Sequence, residues 1–287
     1  MKRSRPTRHH DQRHGTRPQP QLGAAPTGEE MINLALKYPY LAELETRITA
    51  CCSLSKGRIG VQCEESMLRS AAGGQPCDLG KLVCDSNELH ILKVIDRGIG
   101  DPWLVLPAPP DSSIRPGQTV LLRLDKERRR LLSRGHSALH LLMAAISCHS
   151  RQYKTTGATI AEDAGSATLR FWIDPPLDHS RLVAVTQMIR SEISAGRRIL
   201  TDYWSKIESA EIAYPYWRDD PDPAAPGSVR VIHIEGIDAT ICAGTHVRTT
   251  TEIGSFILTG PRRGTHGHHE LDLRLGQSWN HWYAEAW

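Results

Sequence analysis

The sequence predicts an α+β protein in which a small N-terminal β-barrel is followed by a two-layer α/β domain. Two observations lead to this prediction. Short β-type segments separated by glycine and proline fill residues 29–124, a pattern typical of small barrels and sandwiches. A long amphipathic helix then begins near residue 125, and strands and a second helix follow it without regular βαβ repetition. The predicted divisions are therefore a tail at 1–28, a barrel at 29–124 and a second domain at 125–287.

The tail carries most of the basic excess of the chain. It holds six basic residues against one acidic residue, whereas the whole chain has a net charge of only +3. Four prolines and few apolar side chains accompany this charge, and such a composition predicts disorder. Two interpretations stay open. The tail is either an arm that raises encounter rates with a polyanion such as RNA, or a plain solvated terminus.

The elements of the two domains follow from local patterns. Glycine and proline bound the predicted barrel strands, which cover residues 59–62, 89–96, 103–106 and 119–124. Apolar residues and two histidines recur at helical spacing directly after the barrel and predict a helix at 125–149. The remaining predictions are a strand at 167–174, a helix at 180–195, a loop containing 219–227, and strands at 229–234, 255–258 and 270–275.

Several classes of protein are excluded by composition. The chain has no run of 18 uncharged apolar residues, so no transmembrane helix is predicted. The basic start lacks the apolar segment of a secretory signal. Seven cysteines, an odd number without regular spacing, fit a reduced protein better than a disulfide framework. We therefore expect a soluble cytoplasmic protein without a membrane partner, in which cysteine is free for metal binding or catalysis.

Two pairs of residues have the spacing of metal ligands. His136 and His140 are four residues apart on the predicted helix, so both imidazoles project from one face. Cys242 and His246 form a second pair beside a glycine that allows a tight turn. Either pair alone is a weak signal, but together they provide a thiolate and three imidazoles, which suit tetrahedral Zn²⁺. A purely structural zinc site has the same ligands and stays an alternative.

The neighbours of these pairs resemble a known family. The segments HSALHLL (136–142), CAGTHV (242–247), TEIGSF (251–256) and GGQPCDLG (73–80) occur in this chain. They resemble the editing domain of alanyl-tRNA synthetase and its freestanding AlaX-type trans-editing relatives, in the longer form with an N-terminal glycine-rich barrel. The resemblance extends over roughly residues 31–275 and implies that the second domain is an editing domain with a zinc site.

The resemblance implies a reaction and a partner. Members of this family hydrolyse the ester that joins a wrong amino acid to the acceptor end of a tRNA, most often Ser-tRNA(Ala), with Gly-tRNA(Ala) as a second substrate. Zinc can polarise an ester carbonyl, orient the amino acid or supply a water of low pKa, and these three roles stay open. Because a catalytic zinc usually keeps an open position, either Cys242 or His246 is expected to be loosely bound.

The resemblance also assigns roles to residues around the zinc ligands. Thr245 and Ser137 are expected to line the catalytic pocket, although Thr245 has the simpler alternative of satisfying its own turn and Ser137 of facing its own helix. Gly73 and Gly74 are expected to bind substrate by close backbone approach, with Gln75 as an amide donor in catalysis. An ordinary Gly-Gly hairpin turn is the alternative for this loop. The basic residues near the end of the chain, Arg262 and Arg263, are expected to contact RNA.

Four departures from the family pattern affect the expected substrate. Residues 68–72 replace an aromatic-rich stretch, and Ala243 replaces a glycine. Glu162 stands where the synthetase domain often has a glutamine before a Gly-Ser pair, and the basic segment near the end contains additional histidines. A deacylase for another or nonstandard aminoacyl-tRNA is therefore one alternative. A noncatalytic zinc-stapled RNA-binding module and a zinc hydrolase acting on a small ester or amide are the others.

Overall fold

The computed structural model of this chain describes residues 32–84, 87–96, 102–109, 114–150, 152–205, 228–264 and 268–276. The predicted tail and the predicted loop at 219–227 lie outside these residues. The strands are β1 Ile32–Asn33, β2 Glu43–Leu54, β3 Arg58–Cys63, β4 Glu65–Ser66, β5 Gly80–Cys84, β6 Asn87–Ile91, β7 Lys93–Asp96, β8 Pro102–Pro107, β9 Thr119–Leu124, β10 Gln152–Ile160, β11 Ser166–Asp174, β12 Ile199–Ser205, β13 Ser228–Ile234, β14 Asp238–Ile241, β15 Phe256–Arg263 and β16 His269–Leu275. The α-helices are α1 Leu34–Lys37, α2 Lys126–Ser147 and α3 His179–Ala195, and Thr250–Ile253 forms a 3-10 helix.

The first half of the described chain forms a nearly closed, barrel-like sheet. Seven antiparallel strands lie in the order β6-β5-β9-β2-β3-β8-β7, and β6 also contacts β8 near the far edge. Their inward side chains form one apolar cluster that includes Ile48, Leu82, Leu104 and Leu122. The predicted barrel is therefore a strongly curved sheet.

The barrel strands correct the predictions in three places, one of which is β5, a strand that was not predicted. The predicted strand at 89–96 is two strands, since β6 pairs with β5 whereas β7 pairs with β8, and the chain changes neighbour at Leu92. Leu92 itself donates its backbone N–H to Val105. The 12-residue strand β2 was not predicted, because its side chains do not alternate cleanly between buried and exposed and the period-2 signal is therefore weak.

Helix α2 confirms the predicted helix at 125–149 and lies centrally in the second half of the chain. Asp125 caps it by accepting a hydrogen bond from the backbone N–H of Arg128, the expected role of an aspartate at this position. Most of its side chains from Arg129 to Ile146 are buried. A helix that is buried on several sides needs neighbours on several sides, and α2 packs against β10, β11, β16 and α3.

The second half of the chain contains two further sheets. One has the order β10-β11-β16-β15 and the other β12-β13-β14, with antiparallel pairing throughout. These sheets share an apolar cluster with α2 and α3 that includes Leu142, Phe171, Ile232 and Leu271. The predicted strands and second helix are all present, but β10, β12 and β14 were missed. The division of the chain at residue 124 and the two-layer arrangement stay predictions.

All seven cysteines lie within the described residues, and none of them forms a disulfide. Among the described residues, no helix combines the length and apolar character needed to cross a bilayer.

Candidate metal centre

The four predicted metal ligands lie together in the structure. Ligand atoms of His136, His140, Cys242 and His246 are all within 4.8 Å of one another, and all four side chains are buried. Sγ of Cys242 lies 3.2 Å from Nε2 of His136 and 3.4 Å from Nε2 of His246. Nε2 of His140 is buried and makes no hydrogen bond to any described residue. The donor atoms therefore converge on one point.

Local structure brings these ligands into position from two segments. The two helix histidines are one turn apart on α2, whereas the other two ligands flank a turn that follows β14. Gly244 is required inside that turn, since a Cβ atom at this position would lie 2.1 Å from Cε1 of His136. Glycine thus permits the backbone of the turn to contact an imidazole ring directly.

Each ligand histidine is oriented by a contact of its second ring nitrogen, Nδ1, which faces away from the metal centre. Nδ1 of His136 lies 2.8 Å from Oε1 of Gln75, and Nδ1 of His140 lies 3.3 Å from a carboxylate oxygen of Asp238. Nδ1 of His246 lies 3.1 Å from Oγ of Ser137. A carboxylate or amide oxygen can only accept, so the protons of the first two rings are on Nδ1. Their Nε2 lone pairs then face the centre, which is the usual arrangement of metal-bound histidine.

The electrostatics of the cluster also favour a cation. Burial raises the pKa of the Cys242 thiol, but His136 and His246 outweigh burial and hold this pKa well below its usual value. Burial lowers the pKa of His136 and of His246. Burial also acts to lower the pKa of His140, but Asp238 and Cys242 outweigh it and raise that pKa to about 9. The thiolate of Cys242 and the neutral imidazoles of His136 and His246 are donors that Zn²⁺ prefers, and the negative groups that raise the pKa of His140 favour a bound metal cation in place of its proton.

Two buried arginines hold the turn that carries Cys242. Arg230 on β13 donates from one guanidinium nitrogen to the backbone oxygens of Cys242, at 2.7 Å, and Gly244, at 2.9 Å. Arg69 donates from Nε to the backbone oxygen of Ala243 at 2.7 Å. Three successive carbonyl groups are thus turned toward guanidinium groups, while the N–H of Gly244 lies 3.3 Å from Sγ of Cys242. The turn is fixed by side chains that are distant in the sequence.

A hydrogen-bonded group of polar side chains lies beside the ligand cluster. Nε2 of Gln75 donates to Oγ1 of Thr245 at 2.9 Å, and the backbone N–H of Thr245 donates to Oε1 of Gln75 at 3.1 Å. Oγ of Ser133 on α2 donates to the same threonine oxygen at 2.8 Å. All three side chains are buried. Gln75 therefore connects Thr245 to the ligand His136.

Comparison with known proteins identifies the relatives of this chain. Residues 229–270, which include Cys242 and His246, match the family described as threonyl and alanyl tRNA synthetase second additional domain. The alanyl-tRNA editing protein Aarsd1 of Rattus norvegicus is 27% identical over 274 residues, which cover 89% of this chain and 61% of that protein. Aarsd1-B of Xenopus laevis is 30% identical over 241 residues, which cover 78% of this chain and 54% of that protein. The resemblance to the alanyl-tRNA editing family is confirmed.

The same comparison extends to the synthetases. The alanine–tRNA ligase of Aeropyrum pernix is 28% identical over 222 residues, which cover 76% of this chain and 23% of the ligase. This chain spans little more than half the length of the two editing proteins named above. The similarity to editing proteins and to an alanine–tRNA ligase thus extends over most of this chain.

The two glycines that were predicted to bind substrate form a tight turn. Gly73 and Gly74 both have left-handed φ values and form a two-residue turn between Ala72 and Gln75, which is the hairpin alternative considered for this loop. A Cβ atom on Gly74 would lie 1.9 Å from the backbone oxygen of Ala158, so the turn packs directly on β10. The turn places Gln75 against the ligand cluster, and its role in substrate binding stays a prediction.

Ser137 and the arginine pair Arg262 and Arg263 are the other predicted site residues, and their surroundings differ. Ser137 is fully buried, and its Oγ also accepts the backbone N–H of Val247 at 3.2 Å, so it contacts the ligand segment directly. Arg262 and Arg263 are exposed on β15. Arg262 forms ion pairs with Glu270 and Asp272. The structure does not bring these arginines into the metal cluster.

Sequence reasoning missed four residues that contact the site: Ser133, Arg69, Arg230 and Asp238. Ser133 had a usable signal, because it lies three residues before His136 on one helix and therefore shares its face. The two arginines and the aspartate had none. Their contacts join segments that only the folded chain brings together.

Proposed function

We propose that this protein is a zinc-dependent aminoacyl-tRNA deacylase that hydrolyses the ester of a mischarged tRNA in trans. The observation that carries the proposal is the convergence of one cysteine and three histidines whose other ring nitrogens are occupied, in a relative of alanyl-tRNA editing proteins. The proposed substrate is Ser-tRNA(Ala), with Gly-tRNA(Ala) as the second candidate. The partner is then the acceptor end of tRNA, and the proposed compartment is the cytoplasm.

Each residue of the site has its own role in the proposed reaction. His136, His140, Cys242 and His246 would hold the zinc ion, which supplies Lewis-acid chemistry for ester hydrolysis. Gln75 and Ser137 fix the orientation of two ligand imidazoles, and Thr245 presents a hydroxyl group beside them. Because these side chains are buried, bulk water is excluded from them. A hydrogen bond to the substrate is therefore stronger here than it would be at the surface.

Arg262 and Arg263 stay the proposed RNA contacts. The guanidinium group of Arg262 is already paired with two carboxylates of β16, whereas Arg263 is exposed at the end of β15. Arg263 is therefore the stronger candidate of the two. A phosphate contact by this residue would support affinity without reading the sequence of the RNA.

Incubation with a panel of misacylated tRNAs tests the proposed function. Wild-type protein is expected to release serine from Ser-tRNA(Ala) while sparing Ala-tRNA(Ala), and His140→Ala is expected to be inactive. Clearance of a different aminoacyl-tRNA would replace the substrate but keep the reaction. Binding of tRNA without any hydrolysis would replace the deacylase by a noncatalytic RNA-binding module.

Thr245→Val is expected to reduce the preference for serine. A pocket that spares alanine needs polar groups that stay unpaired when alanine binds, and valine removes the hydroxyl at nearly constant volume. We expect the ratio of kcat/KM for Ser-tRNA(Ala) to that for Ala-tRNA(Ala) to fall at least about ten-fold, with zinc content retained. An unchanged ratio would contradict a role for Thr245 in discrimination.

Removal of residues 1–28 is expected to weaken RNA binding and leave the chemical step intact. The tail lies outside every family motif and carries six basic residues against one acidic residue. For each phosphate that the tail neutralises, its removal should reduce the log-log salt slope by roughly 0.9 on duplex or about 0.7 on single strands. Filter binding over a range of salt concentrations measures this slope, and equal slopes for the full and truncated proteins would favour a plain solvated terminus.

A further inference from the structure

The hydroxyl of Ser133 is buried beside the ligand cluster and is not used by the proposed function. Only 5% of this residue is exposed, and Thr245 and Gln75 are 0% and 1% exposed. Ser133 lies on α2, one turn before His136, so its side chain shares the ligand face of the helix. Its hydroxyl donates to Oγ1 of Thr245 at 2.8 Å.

The direction of each hydrogen bond in this group can be assigned. Oε1 of Gln75 faces two N–H donors, the backbone of Thr245 at 3.1 Å and Nδ1 of His136 at 2.8 Å. The amide nitrogen of Gln75 must then be the atom that faces Oγ1 of Thr245 at 2.9 Å, and an amide nitrogen only donates. Thr245 therefore accepts from Gln75 and from Ser133, which occupies both lone pairs of its oxygen.

This assignment leaves the hydroxyl proton of Thr245 without an acceptor among the described residues. A buried donor without a partner is costly and rare in folded proteins. A ligand that supplies an acceptor oxygen would remove this cost. The side chain of serine has such an oxygen, whereas the side chains of alanine and glycine have none.

We propose that Ser133 is a positioning residue that makes Thr245 a donor toward the substrate amino acid, and thereby selects a hydroxyl-bearing amino acid over alanine. The inference rests on the proposed function and specifies how the same site recognises its substrate. Ser133 acts only through Thr245. Without it, one lone pair of the threonine oxygen is free, and the hydroxyl group can rotate to an orientation that no longer favours an acceptor.

The Ser133→Ala variant tests this role. We expect kcat/KM for Ser-tRNA(Ala) to fall about ten-fold while kcat/KM for Ala-tRNA(Ala) and the zinc content stay unchanged. Ser133→Thr keeps the hydroxyl group and should retain the wild-type preference for Ser-tRNA(Ala) over Ala-tRNA(Ala). Ser147→Ala is the matched control, because Ser147 lies on the same helix and donates to the backbone oxygen of Ala144. In a Thr245→Val background, Ser133→Ala should produce no further change in the ratio.

A binding measurement separates this inference from the proposed function. Calorimetry with nonhydrolysable 3′-serylamido and 3′-alanylamido analogues of adenosine needs no hydrolysis. Wild-type protein should prefer the seryl analogue, and Ser133→Ala should lose that preference about ten-fold. If no tRNA is deacylated but this result is obtained, the proposed function fails and the inference stands. No preference in the wild type, or an equal loss for both analogues in Ser133→Ala, would overturn the inference.

Discussion

Gly244→Ala is expected to weaken metal binding strongly and, with it, deacylation. The added Cβ atom would lie 2.1 Å from Cε1, 2.3 Å from Nδ1 and 2.8 Å from Nε2 of His136, far inside van der Waals contact. The imidazole cannot move away freely, because it is buried on α2 and its Nδ1 is bound to Gln75. Metal affinity should fall by about 100-fold or more, the upper range for a disturbed ligand environment.

Metal analysis of the purified variant, combined with a zinc titration, measures this effect. Gly157→Ala is a suitable control: Gly157 lies on β10, and an added Cβ atom would meet only a guanidinium nitrogen of Arg170 at 3.8 Å, an ordinary contact distance. This control should keep its zinc. A Gly244→Ala protein that binds zinc as tightly as the wild type would show that the turn does not contact the histidine as described.

Asp78→Asn is expected to lower the free energy of unfolding by about 3–5 kcal/mol. Asp78 forms a two-point ion pair with Arg129 at 2.8 and 2.6 Å, and the two side chains are 0% and 1% exposed. Its carboxylate also accepts the backbone N–H of Arg69 at 2.6 Å. The asparagine would leave the buried guanidinium group of Arg129 without a counter-charge, and such a loss costs more than the pair itself contributes.

Urea denaturation of the two proteins measures this difference. Glu88→Gln is the matched control, since Glu88 pairs with Lys81 at the surface and the two side chains are 41% and 40% exposed; exposed pairs contribute little, and the midpoint should hardly move. An Asp78→Asn protein with the wild-type midpoint would contradict the importance of this pair.

The ligand set could be predicted because its signals are local. His136 and His140 are one helical turn apart, and the helix that carries them has a clear apolar period. Cys242 and His246 are separated by a single tight turn. In both cases the geometry depends on residues that are neighbours in the sequence, so no knowledge of the tertiary fold was needed to pair the ligands within each segment.

The parts that could not be predicted depend on distant segments. Strand β2 pairs with β3 and β9, and its register with β3 shifts between Ile48 and Ala50. Such an irregularity interrupts the alternation of side chains between the two faces of a strand. Asp238 and Arg230 reach the site only because β13 and β14 pair with each other beside α2. The turn of Gly73 and Gly74 was recognised as a hairpin alternative, but its packing on β10 required the tertiary structure.

Zinc stoichiometry measured together with deacylation tests the central claim most directly. Metal-free protein would be titrated with Zn²⁺, and bound zinc and the rate of Ser-tRNA(Ala) hydrolysis would be determined in the same samples. The rate is predicted to rise in proportion to bound zinc and to level off when each chain holds a single ion, with neither binding nor activity in His140→Ala. Full activity without metal, or unchanged zinc binding in His140→Ala, would contradict the account.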